Sequence, residues 1–160
     1  MTAPLILREE PFTEPTVVDL PEGIVTVTEF AEAVSAAELP AIFDAGFPAL
    51  AAFGPIGPGY ALYSGRPSGW FDLEIGFPIT AASAAQAHAA GAIPSTFPSG
   101  PALVLSHLGP YDGLDHTRER LLHEFTEREL GPPRLLAEIF LADPSASAPA
   151  DLRADLLVAY

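Results

Sequence analysis

The chain has 160 residues, 49% of them hydrophobic, and its 21 acidic and 7 basic side chains give a net charge of −14 at pH 7. This charge argues against a nucleic-acid partner, and the absence of Lys and Cys excludes a Schiff-base enzyme, a lysine-type phosphate loop, disulfides and thiolate metal sites. Since no leader pattern or membrane-spanning apolar run is present, we expect one cytoplasmic domain over residues 1–160, without metal, cofactor or membrane contact.

The first half of the chain predicts two strands, a helix and two more strands. Residues 17–20 and 24–30 form extended runs that a Pro-Glu-Gly turn separates. Residues 36–53 carry apolar side chains at helical spacing, and Pro48 predicts a kink or a fresh turn within them. A run of Gly and Pro ends this helix. Two strands joined by a turn over residues 64–69 then follow, at 60–63 and 71–77.

The second half predicts a similar order. Residues 81–90 are rich in Ala and are ambiguous between helix and strand. A strand over 104–107 precedes a helix over about 113–130, which Asp112 or Asp115 would cap. Residues 134–141 and 152–160 close the half as strands.

These elements predict an α+β fold, with a mainly antiparallel curved sheet and two main helices on one face. Because two helices cannot cover both faces of eight short strands, either one sheet face or a groove between the halves should be partly open. Residues 21–23 also align with 98–100 at an offset of 77 residues. This match predicts two pseudo-repeats of β-α-β-β type, at about 13–80 and 86–160.

Glu138 is the strongest candidate for chemistry. At the same offset residues 60–63 align with 137–140, so a carboxylate at Glu138 corresponds to a methyl group at Ala61. Both faces of its predicted strand are apolar, which is typical of a central, buried strand. Burial favours the neutral carboxyl group and a bound cation or Arg favours the charged one, so Glu138 can serve as a counter-charge, a general base or a general acid. The structural alternatives are an ion pair with Arg134 and exposure at a sheet edge.

Aromatic side chains are candidates for the walls of a cavity around this acid, because ring faces attract cations. Tyr63 aligns with Phe140 and is predicted to face the same side as Glu138. The further wall candidates, each also compatible with ordinary core packing, are Tyr60, Trp70 and Tyr111.

The histidines give weaker predictions. His107 ends a strand beside a Gly-Pro turn, which favours a structural bond to the backbone over a role at the site. His116 and His123 lie seven residues apart on the predicted helix, which is a conceivable metal site but more typical of a solvated face. A serine hydrolase has no support, because no Gly-x-Ser-x-Gly elbow is present.

Five segments in sequence order carry a family resemblance. They are Gly59-Tyr-Ala-Leu-Tyr63, Phe71-Asp-Leu-Glu-Ile-Gly-Phe-Pro78, Phe97-Pro-Ser-Gly100, His107-Leu-Gly-Pro-Tyr-Asp-Gly-Leu114 and Ala137-Glu-Ile-Phe-Leu-Ala-Asp-Pro144. Together they resemble the GyrI-like family: the effector-binding domains of multidrug-responsive transcription activators and their free-standing, gyrase-inhibitor-like relatives. The resemblance implies a duplicated strand-helix-strand fold and a pocket for amphipathic, cationic or aromatic small molecules, with a buried glutamate at position 138.

We therefore expect a free-standing protein that captures hydrophobic cationic compounds between its halves, for sequestration or sensing. The ligand-binding candidates are Glu138, Tyr60, Tyr63, Trp70, Tyr111, Phe140 and His107. The resemblance to some free-standing relatives implies a first alternative, a hydrolase of reactive electrophiles that uses Glu138 and Tyr63. The second alternative is a protein-interaction inhibitor with an acidic, nucleic-acid-like surface. A homodimer or a separate protein partner stays open.

Overall fold

The computed structural model describes residues 3–65, 69–144 and 146–160, and these residues form eight strands and three α-helices. The strands are β1 (Thr16–Leu20), β2 (Val25–Val34), β3 (Gly59–Gly65), β4 (Phe71–Pro78), β5 (Ile93–Thr96), β6 (Gly100–Leu108), β7 (Leu135–Phe140) and β8 (Arg153–Ala159). The helices are α1 (Leu39–Ala51), α2 (Ala81–Ala89) and α3 (Leu114–Glu127). Short 3-10 turns lie at Ala36–Glu38, Tyr111–Gly113 and Pro149–Asp151.

All eight strands join one antiparallel sheet in the order β1-β6-β8-β7-β3-β4-β2-β5. If β1, β2, β3 and β4 exchange places with β5, β6, β7 and β8 respectively, the sheet has the same strand order read from its other edge. The centre of this symmetry is the pair of β3 with β7. The α+β fold expected from the sequence is confirmed. The symmetry of the strand order agrees with a duplication, which stays a prediction.

The register of the central pair places Glu138 at the middle of the sheet. Ala61 lies directly opposite Glu138, and Tyr63 lies opposite Leu136. Since side chains alternate along a strand, Ala61, Tyr63 and Glu138 share one face of the sheet. Tyr60 points to the other face.

The three helices cover the face that carries Glu138. Leu50 of α1, Ala87 of α2 and Leu121 of α3 are buried in one core with strand residues such as Leu73 and Leu156. Each large apolar side chain buried in this way stabilises the fold by about 1.5–3 kcal/mol. The sheet and helices therefore form two layers around a single principal core.

The N-terminal segment covers the opposite face of the sheet. Leu5 and Phe12 are 2% exposed and pack in a second core with Tyr60. The Arg153 guanidinium donates to the backbone carbonyls of residues 8–10, which fixes this segment to β8. The partly open region lies on the helical face, as a groove lined by residues from both halves of the chain, and a groove between the halves was one of the two alternatives expected.

Several local predictions need adjustment. The Ala-rich segment forms α2, because the Thr80 Oγ1 accepts a hydrogen bond of 3.1 Å from Ser83 N and caps it. Helix α1 continues through Pro48, and neither Asp112 nor Asp115 caps α3, which begins after a 3-10 turn. Strand β5 is not predicted by the sequence. The turn expected over 64–69 lies partly outside the described residues, at 66–68. Across the described ranges, no helix has both the length and the apolar character needed to cross a bilayer.

Candidate functional site

A cleft of about 1550 Å³ lies over the junction of β3 and β7, between α1 and α3. Glu138 and Phe140 of β7 and Tyr63 of β3 line it from the sheet side. Sites for drug-sized ligands usually measure about 300–1,000 Å³, so this cleft has room for a bulky organic molecule. A second cavity of about 320 Å³ lies beside β2 and α1, where the lining residue Glu29 is exposed.

Aromatic rings form a continuous wall along one side of the cleft. The Phe140 ring centroid lies 5.9 Å from that of Phe43, 6.1 Å from Phe47 and 5.8 Å from Tyr111. Phe77 extends the wall at 5.5 Å from Phe47. The tilted and edge-to-face packing of these rings is the arrangement that aromatic quadrupoles favour. The wall therefore offers a large, rigid apolar surface to a ligand.

The acid on the cleft floor has a partner from α3. Glu138 is only 1% exposed, and the Arg118 Nη2 donates to its Oε1 at 2.9 Å. The other terminal nitrogen of Arg118 donates to Asp115, one turn earlier on the same helix. The Arg118 guanidinium carbon also lies 6.0 Å from the centroid of the Tyr63 ring.

Both structural alternatives for Glu138 are wrong. Arg134 donates instead to the carbonyl oxygens of Ser99 and Tyr160, at 2.9 and 3.3 Å. Edge exposure does not occur, because β7 lies between β8 and β3.

The ionisation of the side chains beside Glu138 follows from burial and from its charge. The pKa of the Tyr63 hydroxyl lies well above 10.0, first because burial disfavours the phenolate and then because the Glu138 carboxylate repels it. Burial alone would lower the pKa of Arg118, but attraction to Glu138 outweighs it, and the pKa is raised. Tyr63 is therefore a neutral donor, and Arg118 is a guanidinium.

The cleft as a whole is acidic. Besides Glu138, its lining includes the carboxyl groups of Asp44, Asp115, Glu119 and Asp143. Arg118 is the one basic side chain among the lining residues that the structure describes. Five carboxylates and one guanidinium give the cleft a formal charge of −4, which attracts cations and repels anions.

Tyr111 serves the cleft as a wall. Its hydroxyl lies 2.7 Å from the carbonyl oxygen of Ala142 and 2.9 Å from that of Arg153. Burial, as the largest cause, raises its pKa to about 12. Because the hydroxyl is held by the backbone, the ring is fixed and the proton is not available for acid–base work.

The structure brings four of the predicted site residues together in the cleft and places three elsewhere. The lining residues are Glu138, Tyr63, Tyr111 and Phe140. Tyr60 lies on the opposite face, where its hydroxyl donates to Glu74 Oε2 at 2.9 Å. Trp70 is 71% exposed and does not line the cleft. His107 lies 2.7 Å from both Thr117 Oγ1 and the Pro110 carbonyl oxygen, so it fixes the start of α3, as the structural reading of this residue predicts.

The two histidines of the conceivable metal site also lie away from the cleft. His116 and His123 are exposed on α3, and no cluster of His, Cys, Asp and Glu among the described residues has the geometry of a metal site.

Sequence reasoning missed Arg118. Its side chain lies on the apolar stripe of α3, between Leu114 four residues before it and Leu121 three residues after it. An arginine inside such a stripe is the signal that could have identified it, since a charged side chain on a core-facing helix surface needs a buried partner.

Neither the scan against protein-family models nor the search of curated proteins gives a match to this chain. Solved structures do match. The C-terminal domain of EcmrR superimposes with a TM-score of 0.68 at 13% identity, over 91% of this chain and 95% of that one. SAV2435 bound to tetraphenylphosphonium gives 0.63 at 14% identity, over 91% and 93%. The chain has the GyrI-like fold.

A structure described as a hydrolase from Listeria innocua shares this GyrI-like fold, with a TM-score of 0.58 at 17% identity over 92% of each chain. At these identities the likeness establishes the fold.

Proposed function

We propose that this GyrI-like protein binds hydrophobic organic cations in the cleft between α1 and α3, for sequestration or sensing. The observation that carries the proposal is the Glu138 carboxylate, 1% exposed, on the floor of an aromatic-lined cleft with four further acidic residues. A buried carboxylate is costly unless a positive charge accompanies it, and Arg118 supplies one at 2.9 Å, so the position beside Glu138 suits a cation.

The energetics favour a large, delocalised cation. A unit charge 4 Å from the Glu138 carboxylate is attracted by about 4 kcal/mol at an effective dielectric constant of about 20, before the loss of the Arg118 pair is subtracted. A ring face such as that of Tyr63 adds about 0.5–2 kcal/mol. The aromatic wall contributes in proportion to the apolar area that it covers, about 25 cal/mol per Å². The acidic rim raises the local concentration of any cation and speeds its entry.

A pair of ions with one shape and opposite charges tests this proposal. Tetraphenylphosphonium, the ion bound in the SAV2435 structure, and tetraphenylborate should be titrated calorimetrically into the full chain. We expect the phosphonium to bind and the borate not to bind. Glu138→Gln should weaken phosphonium binding at least tenfold.

Glu127→Gln is the matched control, because Glu127 is exposed at the end of α3 and the substitution removes the same charge. Equal binding of the two ions, or equal loss in both variants, would contradict the proposal.

The second candidate function is hydrolysis of an electrophile, and the position of Tyr63 beside Glu138 is the observation that favours it. A neutral hydroxyl next to a carboxylate can act as an acid–base pair. With an epoxide, the oxygen of a water molecule would attack a ring carbon as Glu138 takes the water proton, and the ring carbon–oxygen bond would break as Tyr63 protonates the leaving oxygen. Transfer of the proton from Glu138 to the Tyr63 phenolate would then restore the pair. Product from styrene oxide beyond one equivalent per chain, lost in Tyr63→Phe and Glu138→Gln, would establish turnover, and its absence would exclude this reaction.

A further inference from the structure

Arg118 occupies the position that a bound cation would need. It is the side chain that forms the ion pair with Glu138, at 2.9 Å, and its guanidinium lies 6.0 Å from the Tyr63 ring centroid. The distance is at the limit for a cation–π contact. The same acid and the same ring are the groups that the proposed function assigns to the ligand. The internal cation and an external one therefore compete for one place.

The bonding of Arg118 leaves it able to move. Its Nε is buried without a hydrogen-bond partner, so the guanidinium is incompletely satisfied where it lies. Its second acid, Asp115, is 80% exposed at the rim of the cleft. A long side chain that already bonds a rim carboxylate can leave the floor and keep one ion pair in solvent. Glu138, which is 1% exposed, has no such route.

We infer that Arg118 is a specificity-determining residue, an internal counter-ion that a ligand must displace from Glu138. This inference rests on the proposed function and names the ligand class more closely. A small cation such as tetramethylammonium only replaces the positive charge of the Arg118 guanidinium that it displaces from Glu138. A polyaryl cation also covers the aromatic wall formed by Phe43, Phe47, Phe77, Phe140 and Tyr111, and this burial offsets the loss of the internal pair. The cleft thus selects bulky aromatic cations against small ones.

Arg118→Met tests the inference, because Met retains much of the packing volume of the side chain and removes the charge. Calorimetry should compare tetraphenylphosphonium, tetramethylammonium and the neutral triphenylphosphine oxide on the wild type and the variant. We expect the variant to bind the phosphonium at least tenfold more tightly and to gain measurable tetramethylammonium binding. The affinity for the neutral oxide should change less than twofold.

A second measurement needs no variant. In the wild type, saturation with tetraphenylphosphonium should shift the Nε–H resonance of Arg118 in a nitrogen–proton correlation spectrum, because the guanidinium moves to solvent. Triphenylphosphine oxide should leave that resonance in place. This readout decides the question even if Arg118→Met does not fold.

The outcomes separate the two proposals. Phosphonium binding that Glu138→Gln weakens but Arg118→Met does not tighten would overturn the role of Arg118 and leave the proposed function standing. An unshifted Arg118 resonance at saturation would do the same. No phosphonium binding to the wild type or to Arg118→Met would overturn both.

Discussion

Removing either partner of the buried ion pair should destabilise the protein, but to different extents. Arg118→Met leaves the Glu138 carboxyl group buried without its ion-pair partner, and loss of one partner of a buried pair costs about 3–5 kcal/mol. Glu138→Gln leaves Arg118, which is 17% exposed and still bonded to Asp115, so the cost should be about 1.5 kcal/mol, the lower value for a hydrogen bond to a charged group. We expect Arg118→Met to be the less stable variant by about 1.5 kcal/mol or more.

Urea unfolding at pH 7, followed by circular dichroism, measures this difference as a shift of the midpoint at constant slope. In thermal unfolding the same difference corresponds to about 3–6 °C. The double variant Arg118→Met with Glu138→Leu is the control, because replacing a buried pair by apolar side chains is often neutral or stabilising. An equal cost for Glu138→Gln and Arg118→Met, or a double variant no more stable than Arg118→Met, would contradict this order of stabilities.

Three further outcomes are expected. Burial raises the pKa of Glu74 above 4.5, although the hydrogen bond from Tyr60 acts in the opposite direction. The folded protein therefore binds the Glu74 proton more tightly than the unfolded chain does, and the stability that this proton contributes is lost as the pH rises through the pKa of the folded state. The urea midpoint of Glu74→Gln should therefore rise relative to that of the wild type between pH 4 and pH 7. A difference in midpoint that does not change with pH would contradict this. Tyr63→Leu removes a ring face and should weaken tetraphenylphosphonium binding about 2- to 30-fold by calorimetry, whereas an unaltered Kd would exclude contact with the ring. Arg153→Gln removes the donors that hold residues 8–10, so a glutamate-specific protease should cut this segment several-fold faster; equal rates would show that other contacts hold it.

All the strands except β5 were predictable, because their local pattern is strong. In β4, buried Phe71, Leu73 and Ile75 alternate with more exposed residues, so periodicity alone indicates the strand and its buried face. The Ala-rich segment of α2 lacks this contrast. Alanine favours helices, but a segment with little difference between its faces does not show which side is buried, and Thr80 supplies the deciding cap.

The candidate site could be predicted in part. The contrast between Ala61 and Glu138 identified the buried acid, because it depends on the alignment of two segments of sequence. Tyr60 and Tyr63 are three residues apart on one strand. Because side chains alternate along a strand, residues separated by an odd number of positions lie on opposite faces, and this rule alone separates the two tyrosines. The contact of Arg118 with Glu138 depends on how α3 lies against the sheet, and no local pattern contains that geometry.

The register that places Ala61 opposite Glu138 also limits how many buried carboxylates the β3–β7 junction can hold. Directly paired residues of antiparallel strands have Cα atoms only about 4.5–5.5 Å apart, so two buried carboxylates there would repel and one would keep its proton. This position at the β3–β7 junction can therefore hold only one full negative charge. We expect a stoichiometry of one cation per chain, with the two ends of the cleft inequivalent to any ligand that enters it.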